Sequence, residues 1–157
     1  RPVPRRMGPQ ETMTDRLNPD WWEILRGSRF RCTQCGRCCE RPGHVYFNRA
    51  EVEPIARYLG IPVRRFLSRF AKKITGERGY ELRMSPQEVC PFYRKEENTC
   101  GIHPVKFVQC RTYPYWPENV ESPAAWAEVR GECEGIGHGE RVRKRDVREG
   151  LEESARV

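Results

Sequence analysis

The sequence predicts a small, irregular α+β domain, rich in loops, with a few helices and short strands. Three observations point there. The apolar supply is thin, 37% hydrophobic against 32% charged residues in a chain of 157, so the fold leans on cross-links as well as on a core. Helical periodicity is clearest in one segment, 62–74, and strand-like alternation comes only in short runs. Prolines and cysteines crowd residues 90–117, which argues there for loops, turns and a hairpin. The length suits one domain with tails. The expected organisation is an extended basic arm over 1–17, a central domain over 18–138 that carries every cysteine, and a charged tail over 139–157.

In chain order, Asn18 can cap a short helix, Pro19 suits its first position and Gly27 ends it. Trp21, Trp22, Ile24 and Leu25 give that helix its apolar side. Residues 30–44 read as a loop, followed by a short strand at Val45-Tyr46-Phe47. Asn48-x-x-Glu51 resembles a capping box. Pro54 would remove a backbone bond from a helix interior, which leaves a later start open, from Pro54 to Leu59, with Gly60 as the stop. Pro62 opens the clearest helix. Val63, Phe66, Leu67, Phe70, Ala71 and Ile74 make one continuous apolar face. Arg64, Arg65, Arg69, Lys72 and Lys73 lie mostly on the other side, as a solvated face or a binding face. Residues 79–84 alternate weakly, as a strand would. Residues 140–157, of mixed charge, are expected to form an exposed helix or to fray.

Cys32-x-x-Cys35-x-x-Cys38-Cys39 is the strongest signal. Two residues between cysteines let both sulfurs turn toward one point while intervening amides bond to them, and Gly36 eases the turn. Metal–thiolate bonds of about 2.3 Å demand such convergence. Disulfides within so tight a run are geometrically awkward. Cys90, Cys100, Cys110 and Cys133 follow at spacings that suit ligands brought from separate turns. The eight cysteines are therefore candidate metal ligands, and the expected fold is organised around the centre they make. They suffice for two four-sulfur sites, or for one site plus structural or reactive thiols. Adjacent Cys38 and Cys39 diverge along an extended chain, so they serve two sites or one is a bystander. Among the histidines, His103 is the best further candidate, ahead of His44 and His138.

The formal net charge is +7. A four-thiolate site around zinc or a [4Fe–4S] core carries about −2, so the basic balance permits an RNA or acidic-protein partner without demanding one. No apolar run approaches the roughly 18 residues that span a bilayer, and no apolar segment of a secretory signal follows the basic start. The expected location is a reducing intracellular compartment, the cytoplasm or an organelle matrix such as the mitochondrial one.

The sequence resembles the CxxCxxCC family of zinc- or iron-chelating cysteine-cluster proteins. The resemblance is carried by Cys32-Thr33-Gln34-Cys35-Gly36-Arg37-Cys38-Cys39, Cys90-Pro91-Phe92-Tyr93, Cys100-Gly101-Ile102-His103-Pro104, Cys110-Arg111-Thr112-Tyr113-Pro114 and Cys133-Glu134-Gly135-Ile136-Gly137. It implies a chelating role. One branch includes the flagellin lysine methylases, but no glycine-rich strand-to-helix turn for S-adenosylmethionine is visible here. Gly135–Gly139 follows a cysteine rather than a predicted strand, so methyl transfer is not expected. Phe107 stands where relatives often have proline, which would loosen the turn before Cys110.

Zinc suits closed sites with C-x₂-C pairs; iron–sulfur clusters suit C-x₂-C-x₂-C runs plus a distant cysteine. The run here leans toward iron–sulfur, a [4Fe–4S] cluster, with zinc the alternative. Phe92, Tyr93, Tyr113, Tyr115 and Trp116 would shield a cluster or pack as ordinary core. The favoured role is a structural docking module, metal-folded and bound through its basic arms to a larger assembly such as a ribonucleoprotein. The other is an iron–sulfur redox protein or enzyme, for which no catalytic constellation is visible.

Overall fold

The computed structural model describes residues 17–75 and 79–154. The expected arm over 1–17 lies outside them, save for Leu17. In chain order the helices are α1 (Trp21–Leu25), α2 (Arg37–Glu40), α3 (Arg49–Tyr58), α4 (Val63–Phe70), α5 (Val108–Thr112), α6 (Pro123–Glu132) and α7 (Lys144–Ser154). The strands are β1 (Arg29–Phe30), β2 (Tyr46–Asn48), β3 (Ala71–Lys73), β4 (Gly79–Leu82), β5 (Tyr93–Arg94), β6 (Thr99–Cys100) and β7 (Ile136–Arg141). This is the small α+β fold that the sequence predicts. Among the described residues no helix is long and apolar enough to cross a membrane. The chain divides into two compact units, 34–111 and 17–33 with 112–154.

In the first unit, β2, β4 and β3 form an antiparallel sheet in that order, with Phe47 opposite Tyr80 and Ala71 opposite Leu82. The capping box decides where α3 begins. Asn48 Oδ1 accepts from Ala50 N (2.9 Å) and Glu51 N (3.3 Å), and Glu51 Oε2 accepts from Asn48 N (2.8 Å). The helix therefore starts at Arg49 and runs through Pro54. Pro54 deletes one backbone bond, and the cap and the burial of Val52, Ile55 and Ala56 offset it. Gly60 ends the helix at φ +67°. Its N–H donates to the Arg57 carbonyl, and that of Ile61 to Ala56, a Schellman closure.

Helix α4 stops at Phe70, earlier than its apolar face suggests. Ala71, Lys72 and Lys73 pair instead with Leu82, Glu81 and Tyr80. Ala71 is buried in the strand all the same, so its apolar character serves either period. The core is phenylalanine-rich: Phe47 packs on Phe107 at 4.6 Å between ring centroids, and Phe92 on Phe70 at 4.9 Å. Each fully buried ring, Phe47, Phe66 and Phe107 among them, is worth about 1.5–3 kcal/mol. Phe107, expected to loosen its turn, is a core anchor at 1% exposure.

In the second unit, Trp21, Leu25, Val120, Trp126, Val129, Val147 and Leu151 make the core. Helix α6 starts on Ser122, whose Oγ accepts from Ala125 N at 3.1 Å, with Pro123 at its first position. The expected exposed helix near the C-terminal end is α7, and it buries Val147 and Leu151 completely. Gly135–Gly139, weighed as a nucleotide loop, belongs largely to β7, antiparallel to β1. A side chain at Gly135 would stand 2.6 Å from the Arg31 carbonyl oxygen, which is why the strands approach so closely there.

Candidate metal centre

Six of the eight cysteines lie in the unit 34–111, and Cys32 and Cys133 in the other. All eight are free thiols. Residues 30–44, expected as loop, contain a one-turn helix, α2, which carries Cys38 and Cys39. On a helical turn neighbouring side chains are about 100° apart rather than opposed, so both sulfurs reach one side. Gly36 precedes the turn at φ +71°. A Cβ there would lie 2.6 Å from the Tyr93 ring and 2.9 Å from the Asn98 carbonyl oxygen. Only glycine lets this turn settle on the β5–β6 hairpin. The Tyr93 hydroxyl donates to Asn98 Oδ1 at 2.7 Å, closing the hairpin loop under it.

That hairpin brings Cys90 and Cys100 together. Tyr93 pairs with Cys100, and Tyr93 N donates to the Cys90 carbonyl at 3.0 Å. Cys90 N donates to the Cys39 carbonyl at 2.9 Å, a direct backbone link between hairpin and turn. Each hairpin sulfur also accepts a backbone N–H two residues on, Cys90 from Phe92 and Cys100 from Ile102. Such bonds orient and stabilise thiolates. Phe92 is anchored in the core, so the core itself sets the Cys90 side.

Cys39, buried, is the hub: its thiol lies within interaction range of Cys100, Cys38 and Cys90. Those neighbours, with burial, push its own pKa far up. Its proximity brings Cys100 down to about 7 against burial, helped by Ile102 N–H and the Lys106 charge. Cys90 is lowered the same way, with Phe92 N–H assisting. Cys110 stands nearby; burial pushes its thiol up, and the charges of Cys90, Cys38 and Cys100 add to this. Cys35 lies near Tyr93, whose phenol pKa is raised by desolvation and then by the charges of Glu40, Cys39 and Cys35. Among the described residues, no group of three or more His, Cys, Asp or Glu side chains is already arranged as a metal site. The thiols are gathered around Cys39 and not yet set as a ligand shell.

Two residues that sequence reasoning missed fix Cys110. Glu51 has a second task beyond its capping box: Oε1 accepts Val108 N at 2.8 Å, at the start of α5. Gln109, buried at 6% exposure, accepts Tyr46 N through Oε1 (2.7 Å) and donates to the His44 carbonyl (2.9 Å). A buried glutamine beside a cysteine was the available signal. The histidines are engaged elsewhere or exposed. His44 Nδ1 pairs with Glu81 Oε1 at 2.5 Å, the Lys106 ammonium lies 3.4 Å from His103 Nε2, and His138 is exposed on β7.

In the second unit the segments bearing Cys32 and Cys133 run side by side. Arg31 N donates to the Gly135 carbonyl at 3.1 Å, and Thr33 Oγ1 to Glu134 Oε1 at 2.7 Å. Tyr113 and Tyr115, weighed as cluster shields, pack with this unit's core, and Tyr113 also packs on Trp116 at 5.1 Å. The Tyr115 hydroxyl is buried without a hydrogen-bond partner among the described residues; burial, then the Cys133 and Asp146 charges, raise its pKa.

The CxxCxxCC family, described as a "putative zinc- or iron-chelating domain", matches residues 31–134, a span that holds all eight cysteines. The chain is 33% identical over 91 residues to the uncharacterized protein MJ0661 of Methanocaldococcus jannaschii, covering 58% of this chain and 47% of that protein. It thus spans about half the length of that curated relative. No solved structure matches.

Proposed function

We propose that this chain, which belongs to the CxxCxxCC family, holds a single metal ion on Cys38, Cys39, Cys90 and Cys100. Metal binding, of zinc or iron, is the function class that the family supports. The observation that supports the finer reading is the proximity of the Cys39 thiol to Cys38, Cys90 and Cys100. A tetrahedral four-sulfur centre with bonds of about 2.3 Å sets its sulfurs roughly 3.8 Å apart, which is the reach of a thiol–thiol hydrogen bond. An iron–sulfur cube interposes its own irons and sulfides, so its cysteine sulfurs cannot touch one another. The single-ion reading therefore fits this packing better than the [4Fe–4S] reading that the spacing favours. When bound, the ion supplies a cross-link between the turn 37–40 and the hairpin 90–100. Loss of thiol protons, readiest at Cys100, accompanies binding. The role we assign is structural, a metal-folded docking module.

Metal and sulfide analysis of protein purified without oxygen tests this. One zinc or iron per chain and no acid-labile sulfide is expected. Several irons with matching sulfide and a broad visible band would sink the single-ion reading. Cys39→Ser, Cys90→Ser and Cys100→Ser should each weaken metal binding by at least about a hundredfold, whereas Cys133→Ser should keep it. Equal losses at Cys133 would overturn the assignment of ligands.

A further inference from the structure

We infer that α4 and β3 present a docking surface for single-stranded RNA. Residues 54–76 contain six of the chain's 29 Lys and Arg and none of its 22 Asp and Glu. Nearly the whole net charge of +7 thus sits in one short stretch. In the structure these charges are open to solvent, with the Arg69 guanidinium lying over the Phe70 ring at 5.1 Å. Arg64, Arg65, Arg69 and Lys73 are exposed and in no ion pair among the described residues. The helix sorts them: positions 64, 65 and 69 fall within about 140° of its circumference, and the fully buried Phe66 lies outside that arc. Arg57 and Lys72, partly neutralised by Glu53 at 3.2 Å and Glu81 at 3.5 Å, add charge nearby in sequence, Lys72 from the opposite face of β3 to Lys73.

The chemistry of the strip selects its occupant. Helix α4 alone is about 12 Å long, which matches a row of phosphates and not a single one. Three of its four exposed charges outside ion pairs are guanidinium groups, which bind phosphate as a two-pronged fork. A membrane surface would need an apolar face beside the charges, and the apolar face of α4 is spent in the core. At the end of α3, one residue from Arg57, Tyr58 is the exposed large hydrophobic residue, at 50%. An acidic protein has no particular use for such a ring, whereas an unpaired base stacks on it. Unpaired bases are the ordinary state of RNA loops.

Such a surface deepens the docking-module reading and rests on it. The test uses the metal-loaded full chain and fluorescence anisotropy of a labelled oligouridylate, with polyglutamate and an RNA duplex as comparators. With four phosphates neutralised, affinity should fall about fiftyfold between about 50 and 200 mM salt. Reversing Arg64, Arg65 and Arg69 together to glutamate should weaken binding at least about tenfold and flatten that salt dependence. Tyr58→Ala should cost about tenfold for the oligouridylate and nothing for polyglutamate. The inference is overturned by wild-type protein that ignores the oligouridylate, by a triple variant that binds it as tightly, or by equal binding of polyglutamate or duplex. Metal content is measured on every variant. Lost RNA binding with metal retained in the wild type counts against this surface alone; a wild type that takes up no metal counts against the metal centre instead.

Discussion

The two units solve the same problem, too little apolar surface, by different means. The unit 34–111 holds six of the eight cysteines and none of the four tryptophans. Its phenylalanine core secures α3, α4 and the three-stranded sheet. The cysteine-bearing pieces are a four-residue helix and a hairpin of two-residue strands, elements too short to stand alone. The other unit holds all four tryptophans and two cysteines. Its longer helices, α6 and α7, each bury two side chains in one shared core. The difference teaches that dependence on a cross-link is local: it falls where elements are short and thiols are dense.

The largest expected effect tests that contrast directly. Chelation under reducing conditions should raise hydrogen exchange through residues 36–40 and 90–110 by several orders of magnitude, since structural metal sites contribute folding energy outright. Tryptophan emission, which reports only on the second unit, should stay nearly unchanged. Loss of both signals together would break the comparison. Next in size is Gly36→Ala. The positive φ and the clash with Tyr93 and the Asn98 carbonyl should cost about 1–3 kcal/mol and loosen metal binding, read by denaturant melts and competition with a chelating dye.

Glu51→Ala should cost about 1–2 kcal/mol, because one carboxylate serves α3 and α5 at once. Its mark is faster exchange at both Asn48 and Val108; a change at one alone would refute the shared cap. Smallest is the effect of Glu81. Burial pushes its carboxyl up, but the hydrogen bond to His44 and the Lys72 charge outweigh it, so the folded pKa lies below the ordinary 4.5. A depressed folded pKa gives stability that is full above the unfolded value and lost as pH falls through the folded one. The difference between wild type and Glu81→Gln should therefore shrink below about pH 4.5. A constant difference from neutral to acid would exclude the pairing.

Much of the fold was legible in advance because its signals are local. Asn48 and Glu51 wrote the capping box, Gly27 and Gly60 wrote the stops, and the periodicity of Val63, Phe66, Leu67 and Phe70 wrote α4. The end of α4 was not legible, because Ala71 satisfies helix and strand periods equally and the partner strand β4 decides between them. Helix α6 was overlooked, although Ser122-Pro123 is an ordinary start signal. Strands β1 and β7 lie more than a hundred residues apart in sequence, and neither alternates clearly.

The sequence by itself determined that this is a cysteine-cluster chain with a thin core, since thiol number and tight spacing are properties of the chain alone. It also determined the cationic stretch around α4. Only the tertiary structure decided how the eight thiols divide. Cys38 and Cys39 converge because they sit on a helical turn, Cys90 and Cys100 because a hairpin pairs Tyr93 with Cys100. Cys110 is brought near them because Glu51 on α3 holds the start of α5 and Gln109 on α5 bonds to Tyr46 and His44. Convergence of side chains depends on long-range backbone geometry, which no spacing between neighbours encodes.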